Sequence, residues 1–369
     1  MPKRLKIPSL RLSDEKVAQL IDIGTLTVQD FAPAPQDDKE DFIPKAKSMG
    51  YWQDAWRRLR RNRVSMVALV VILLIIIFAF AGPKFVPYKY QEQYRSSLNL
   101  APMEYSASEQ ARIDAGEKVF PHVFGTDTHG RDIMARTMVG ARVSLAIGVL
   151  AAILVLIIGS IYGAVSGLVG GLTDAVMMRI LEIIASIPDV LVVLLLSVSI
   201  KPRLEAFVNS FGASNKNAFA RGLSVLGPSI TAIFICFAIL YWITMARIIR
   251  GQVLQLKNQE FVTAARALGA SQWRIIRKHL LPNCIGSMIA ATCLQIPSAI
   301  FLESFLSFLG VGVQAPLTSL GSMCSDALGG MYTYTYRLVI PAAILLVLLL
   351  SFNLFGDGLR DALDPRLKK

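Results

Sequence analysis

Chemistry in this chain would have to come from few residues. The three histidines are His122, His129 and His279. His122 and His129 share a segment with Asp127 and Asp132, and imidazole beside carboxylate is a ligand set for a divalent metal. The same mixture suits a solvated turn, and no metal site is expected. The four cysteines, Cys236, Cys284, Cys293 and Cys324, form no C-x-x-C pair and read as small packing residues. No G-x-x-x-x-G-K-[ST] sequence occurs, so the loop that cradles ATP phosphates is missing. Neither H-E-x-x-H nor G-x-S-x-G occurs. The chain is not expected to be an enzyme, and it is expected to bind no cofactor itself.

The unusual ionisable groups sit inside apolar runs. A carboxylate at a bilayer centre costs about 2.5–3.5 kcal/mol on insertion scales. Asp189 and Glu303 should therefore face other helices or water. Both are candidates for lining a translocation path, with an inter-helix polar seam as the alternative. Arg179, Glu182 and Asp189 fall within roughly 80° of one another at about 100° per residue. Arg179 and Glu182 can pair at i, i+3, and a seam near the inner surface is expected of them. Pro188 should loosen the helix beside Asp189.

The elements that carry these groups are membrane spans. Of 369 residues, 54% are hydrophobic and 17% charged, with a mean hydropathy of +0.51. That is too apolar for an ordinary soluble domain of this length. Six apolar runs are long enough to cross a bilayer, at 64–82, 141–166, 175–200, 229–249, 284–309 and 338–355. The net charge of +12 does not point to nucleic acid, because the basic residues cluster beside the spans. Arg57, Arg58, Arg60, Arg61 and Arg63 precede the first span and place the N-terminus in the cytoplasm. Six crossings return the tail at 358–369, with Arg360, Arg366, Lys368 and Lys369, to that side. The same count puts the basic stretch 247–278 inside. Ala79-Phe80-Ala81 looks like a cleavage site, but the long charged region before it and the long apolar run favour a retained span.

Outside the spans, residues 1–48 read as a flexible cytoplasmic extension with Pro33, Pro35 and Pro44. Tyr51, Trp52, Ala55, Trp56 and Leu59 then recur at helical spacing. They predict either an amphipathic helix on the inner membrane surface, rings in the interface and arginines on lipid phosphates, or a continuation of the first span. Together 1–63 make an N-terminal region. The extracytoplasmic segment 83–140 could hold a helix over 107–118. A second external loop, rich in Asn, Ser and Gly, is expected at 211–227. Gly167, Gly170 and Gly171 suit a tight inner turn. The core would be 141–357, with five spans.

One cytoplasmic loop, 260–282, stands apart. It opens within Q-E-F-V-T-A-A-R-A-L-G-A-S at 259–271 and ends on Leu281-Pro282. Phe261, Val262, Ala265 and Leu268 predict one apolar helix face. Ala264 and Ala267 keep that helix slim, and Gly269 should end it. Ser271 can cap a second helix, on which Trp273, Ile276 and Leu280 share a side. Pro282 should break it before the fifth span. The product is a rigid knob below the membrane. An amphipathic hairpin on lipid is the alternative, with Arg266, Arg274, Arg277 and Lys278 on headgroups.

This loop resembles the coupling loop of ATP-binding-cassette (ABC) importer permeases, which reads E-A-A, three residues, Gly, nine residues, I-x-L-P. Ala264, Ala265, Gly269, Leu281 and Pro282 match, while Thr263 replaces the Glu and His279 the Ile. Glu260 or the backbone would take part of the missing Glu's role, and Arg266 lies on the same helix. F-G-T-D-T-H-G-R-D at 124–132, G-A-R-V-S-L at 140–145 and E-S-F-L-S-F-L-G-V-G at 303–312 resemble the oligopeptide, dipeptide and nickel permease family. Leu320-Gly321 departs from its usual Trp-Gly. Within the outer motif, Gly125 and Gly130 allow a compact turn in which Asp127 accepts backbone hydrogen bonds, with Arg131 and Asp132 following.

The resemblance spans about 120–365. It implies an all-α protein with the type I importer permease fold, in a bacterial plasma (inner) membrane. It implies a homologous permease partner, two ATPase subunits holding ATP and Mg, and an extracytoplasmic substrate-binding protein. The long N-terminal region fits the C-type subunit of an oligopeptide permease, so a peptide is the expected substrate. Dipeptide, nickel and glutathione permeases are the alternatives. A self-sufficient secondary transporter would show inverted repeats with interrupted helices, and none is found.

Overall fold

In the computed structural model, residues 50–214 and 218–363 are described, and side chains are described outside 207–226. The expected extension 1–48 and the tail cations Arg366, Lys368 and Lys369 lie outside the described residues. The described residues are helical apart from loops and one isolated bridge between Thr126 and Asp132. The described residues from Trp52 onward make one compact unit.

Helix α1 (Tyr51–Arg61) is distinct from α2 (Arg63–Phe80). Asn62 separates them: its backbone is extended and its side chain accepts from the Ser65 N–H at 3.3 Å, a helix N-cap. Of the two expectations for this stretch, the separate helix is the one found. Helix α3 (Ala107–Asp114) starts at a capping box, Ser106 and Glu109 each binding the other's backbone N–H. Helix α4 (Ile133–Val169) begins eight residues before the apolar run at 141, because Asp132 caps it through the Ala135 N–H.

The expected continuous third span is instead two helices. Helix α5 (Gly171–Ala185) and α6 (Asp189–Ser214) are bent 78° from each other. Pro188 has no N–H to donate and disfavours a helical residue before it, so one helix ends at Ala185 and another starts at Asp189. Arg179 and Asp189 therefore do not share a helix face. The expected loop at 211–227 is also corrected: helical backbone runs to Ser214 and resumes with α7 (Ala218–Cys236), interrupted at Gly227, whose φ is 75°. A π-turn at Phe237–Tyr241 then leads into α8 (Ile243–Leu256).

Helices α9 (Glu260–Ala267) and α10 (Gln272–Ile275) form the knob of the 260–282 loop, followed by α11 (Ile285–Phe308), the short α12 (Leu320–Ala327) and α13 (Tyr336–Leu363). Among the described residues, five helices are long and apolar enough to cross a membrane, and six spans result if the bent pair counts as one. Helix α4 is the hub, packed against α8, α11 and α2, while α13 closes on α2 and α11.

Close approach along α4 depends on glycine. At Gly159, Gly163 and Gly167 an added Cβ would lie 2.6 Å from Met245 Cβ, 2.3 Å from Ala246 O and 2.9 Å from Val253 Cγ1. This G-x-x-x-G-x-x-x-G stripe lets α8 lie against the α4 backbone, as small residues do between membrane helices.

Candidate coupling site and outer lock

The loop residues singled out in sequence come together as one projecting knob. Its first helix, α9, follows Gln259 in extended conformation and ends in a Schellman motif. Gly269 has φ 78°, its N–H bonds Arg266 O at 2.9 Å, and the Ala270 N–H bonds Ala265 O at 3.0 Å. Ser271 then caps α10, accepting from the Arg274 N–H at 3.3 Å. The direction change between the helices is fixed by backbone bonds.

The expected apolar face divides in two. Val262 and Ala265 are buried with Ile275, Ile276 and Leu280 in the main core. Phe261 is 39% exposed and Leu268 88%. Residues 261, 264 and 268 follow the i, i+3, i+7 rule, so a second, outward ridge runs over exposed Ala264. Trp273 does not share the buried side of Ile276 and Leu280; it is 53% exposed. Glu260, Thr263 and Arg266 are exposed around the ridge. Thr263 turns its hydroxyl back on Gln259 O at 3.4 Å.

Pro282 does not break the chain, as was expected of it. The helix widens into a π-turn at Ile276–Leu280, with the Leu281 N–H reaching Ile276 O. One extra residue in the turn absorbs the missing proline donor. Asn283 Nδ2 caps the His279 carbonyl at 2.6 Å. The knob therefore continues almost directly into α11.

Above the knob, a polar cluster absent from the sequence reading ties three helices. Arg250 Nε and Nη2 on α8 both bond the Asp174 carboxylate on α5 at 2.6 Å, and Ser166 on α4 donates to the same group. Lys257 Nζ bonds Gly167 O at 3.1 Å. Helix α8 thus reaches the knob with its lower end fastened to α4 and α5. The signals were present, an acidic residue just after a glycine turn and an arginine late in a span, but their pairing is a three-dimensional fact.

The two intramembrane carboxylates are separate. Asp189 opens α6 and is exposed; its Oδ1 accepts from the Val190 N–H at 2.8 Å and its Oδ2 from Tyr241 Oη at 3.2 Å. It lines a cleft of about 590 Å³ with Tyr241, Phe301, Phe305, Leu349 and Asn353. Glu303 is fully buried between α4 and α11. Ser144, Ser307 and Ser304 donate to it at 2.7, 2.8 and 3.3 Å. Arg179 and Glu182 pair with each other at 2.8 Å, both well exposed.

At the other end, the 124–132 motif makes a lock. Gly125 and Gly130 have φ 76° and 73°. A Cβ there would lie 2.3 Å from Leu100 O and 2.0 Å from Tyr94 O. Asp127 accepts from the His129 and Arg131 N–H groups at 2.8 and 3.0 Å and from the Arg131 and Arg136 guanidinium groups at 2.7 and 2.6 Å. Burial works against its charge, but Arg136 and these bonds hold its carboxyl below the usual range. Arg136 continues to Asp326 on α12 at 2.8 Å. Tyr336 on α13 donates to Leu100 O at 2.8 Å.

His122 completes the lock. It is fully buried, stacked on Tyr88 at 4.2 Å, with Nδ1 2.8 Å from Asp132 and Nε2 3.2 Å from Glu109. Burial alone would lower its pKa; the bond to Asp132 and the two nearby carboxylates outweigh it and raise the pKa. His129 instead lies at the surface turn, 3.1 Å from Thr128 Oγ1.

Comparison with known proteins shows the family. The family model of the binding-protein-dependent transport system inner membrane component matches residues 156–369, and that of the N-terminal TM domain of oligopeptide transport permease C matches 50–102. The oligopeptide transport system permease protein OppC of Bacillus subtilis (strain 168) is 43% identical over 92% of this chain and 97% of its own. The dipeptide transport system permease protein DppC of the same organism is 41% identical over 90% and 92%. OppC of Escherichia coli (strain K12) is 40% identical over 89% and 96%. A solved structure titled as inward-facing MetNI methionine ABC transporter is 18% identical, with a TM-score of 0.45, over 61% of this chain and 94% of that one. With a family model over more than half its length and relatives this similar end to end, the chain belongs to the inner-membrane permease components of binding-protein-dependent transport systems.

Proposed function

We propose that this chain is one permease subunit of a type I ABC importer for oligopeptides, forming half of the pathway and receiving force through the knob at 260–282. The observation that carries the coupling role is the exposed apolar ridge of Phe261, Ala264 and Leu268, with Trp273 exposed on the second helix of a backbone-locked pair. A ridge of this kind gains by docking in a protein groove. The knob is continuous with α8 and α11, so a push on it reaches the α4 hub. Glu260, Thr263, Arg266 and the Leu281-Pro282 turn flank the dock, and Asp189 faces the pathway. The partners are a homologous permease, two ATPases carrying ATP and Mg, and an extracytoplasmic binding protein. The similarity to peptide permeases supports the substrate.

Gentle solubilisation and mass spectrometry should recover the chain with a second permease and two ATPase copies. Recovery alone, with transport in liposomes lacking ATP, would overturn the reading. Within the complex, Gly269→Val should abolish ATP-driven uptake while membrane insertion survives. Nothing lies within 4 Å of an added Cβ there, so the effect would be backbone strain at positive φ of about 1–2 kcal/mol.

A further inference from the structure

Helix α1 has two unlike sides. Ala55 and Leu59 are buried, and Ala55 clusters with Ala290 of α11 and Leu363 at the end of α13. The other side carries Trp56, Arg57, Arg60 and Arg61, which line a shallow cleft of about 540 Å³. Arg58 is neutralised by Asp54 at 2.8 Å. Arg57, Arg60 and Arg61 have no hydrogen-bond or ion-pair partner among the described residues. Trp56 is 50% exposed beside them. The next helix, α2, starts after a single residue and is a candidate span, so the cleft sits at the water boundary of the membrane.

We propose that this cleft is a binding site for the phosphate of an anionic phospholipid. Three guanidinium groups without a partner among the described residues, set around one cleft, complement a phosphodiester whose headgroup carries no cancelling cation. The indole of Trp56 suits the glycerol level, where aromatic rings collect. A soluble acidic protein would not need the ring, and a zwitterionic headgroup would cancel much of the attraction. Because Ala55 and Leu59 hold α1 against the core, the lipid would be fastened to the ends of α11 and α13. Helix α11 is also the continuation of the cytoplasmic knob.

Native mass spectrometry of the full-length chain, alone and with its co-purified partner subunits, tests this. Phosphatidylglycerol, phosphatidylcholine and inorganic phosphate would be titrated separately. Phosphatidylglycerol should bind at least tenfold tighter than phosphatidylcholine. Replacing Arg57, Arg60 and Arg61 together by Ala should remove that preference, at about fivefold per arginine. Replacing all three by Lys should keep most of it. The wild-type preference should also fall as salt rises, which reads the same interaction without any variant. Equal affinity for the two lipids, an unchanged alanine variant, or a preference insensitive to salt would overturn the proposal. So would full competition by inorganic phosphate, which would mark a free-anion site, or loss of the preference in the assembled complex, which would mark a protein-docking face.

Discussion

Replacing Gly163 by Ala should loosen the contact between α4 and α8. The added Cβ would sit 2.3 Å from Ala246 O and 3.0 Å from Arg250 N. An ordinary carbon-to-carbonyl contact begins at about 3.3 Å, so the helices must part by about 1 Å. Both obstructing atoms are backbone, so no side chain can turn aside. A gap of that size forfeits roughly a quarter to a half of the attraction of the facing atoms. Overpacking of this kind costs about 1–3 kcal/mol. Alanine recovers about 0.5–1 kcal/mol of helix propensity, leaving a net loss of about 0.5–2 kcal/mol. Gly251, on α8 itself, supplies the control: nothing lies within 4 Å of its added Cβ, so Gly251→Ala should be neutral or slightly stabilising.

Reversible denaturant unfolding in mixed micelles, followed by circular dichroism, would measure both variants. Gly159→Ala should resemble Gly163→Ala, because Met245 Cβ and Trp242 O stand 2.6 and 2.8 Å from its Cβ. Gly167→Ala should cost less, since its nearest obstacle, Val253 Cγ1, is at 2.9 Å. Equal stability of Gly163→Ala and Gly251→Ala would refute the reasoning, because the two differ only in what the new methyl meets.

The outer lock predicts a pH dependence. His122 has a raised pKa in the fold, so its stabilisation is complete below the ordinary value of about 6.5 and is lost as pH rises through the folded value. The unfolding temperature should fall as pH rises above about 6.5, and His122→Gln should flatten that slope. Tyr88, pushed up to about 12 by burial and by nearby Glu109 and Asp132, does not titrate in that window. For the inner cluster, a double-mutant cycle on Asp174 and Arg250 should show a coupling of about 1 kcal/mol. Additive losses would show that the two 2.6 Å bonds contribute nothing as a pair. At the ridge, Leu268→Asp should leave stability within about 0.5 kcal/mol, because the side chain is 88% exposed, yet reduce recovery of ATPase subunits. Full recovery would refute docking there.

The spans, the end of α9 at Gly269 and the cap at Ser271 could be read from the sequence because each depends on local chemistry. Apolar length, a glycine at positive φ and a hydroxyl before a helix act within a turn of themselves. The misread features depend on neighbours. Phe261 and Leu268 belong to a ridge only because Val262 and Ala265 already fill the core side. Pro282 is absorbed because the preceding turn can widen. Pro188 does more than loosen: it turns the chain by 78°, and one apolar run of span length becomes two helices. The glycines at 159, 163 and 167 carried a legible signal, small residues every fourth position in an apolar run, but the helix they admit could not be named from it.

The same distinction separates Asp189 from Glu303, which are alike in sequence as acids within apolar runs. Three hydroxyls donate to Glu303, and Ser307 in turn accepts from the Val313 N–H at 2.9 Å. A buried carboxylate is costly unless its oxygens are filled, and here serines of two helices fill them. A passing substrate could reach it only by undoing those bonds, so Glu303 acts as a tie between α4 and α11. Asp189 has one oxygen on its own helix start and the other toward Tyr241 at 3.2 Å, on the wall of an open cleft. Its carboxylate lies open to the cleft without any of the packing being dismantled. The bend at Pro188 is what brings it there: a straight helix would have kept Asp189 near the sector of Arg179 and Glu182, whose paired charges lie exposed on α5.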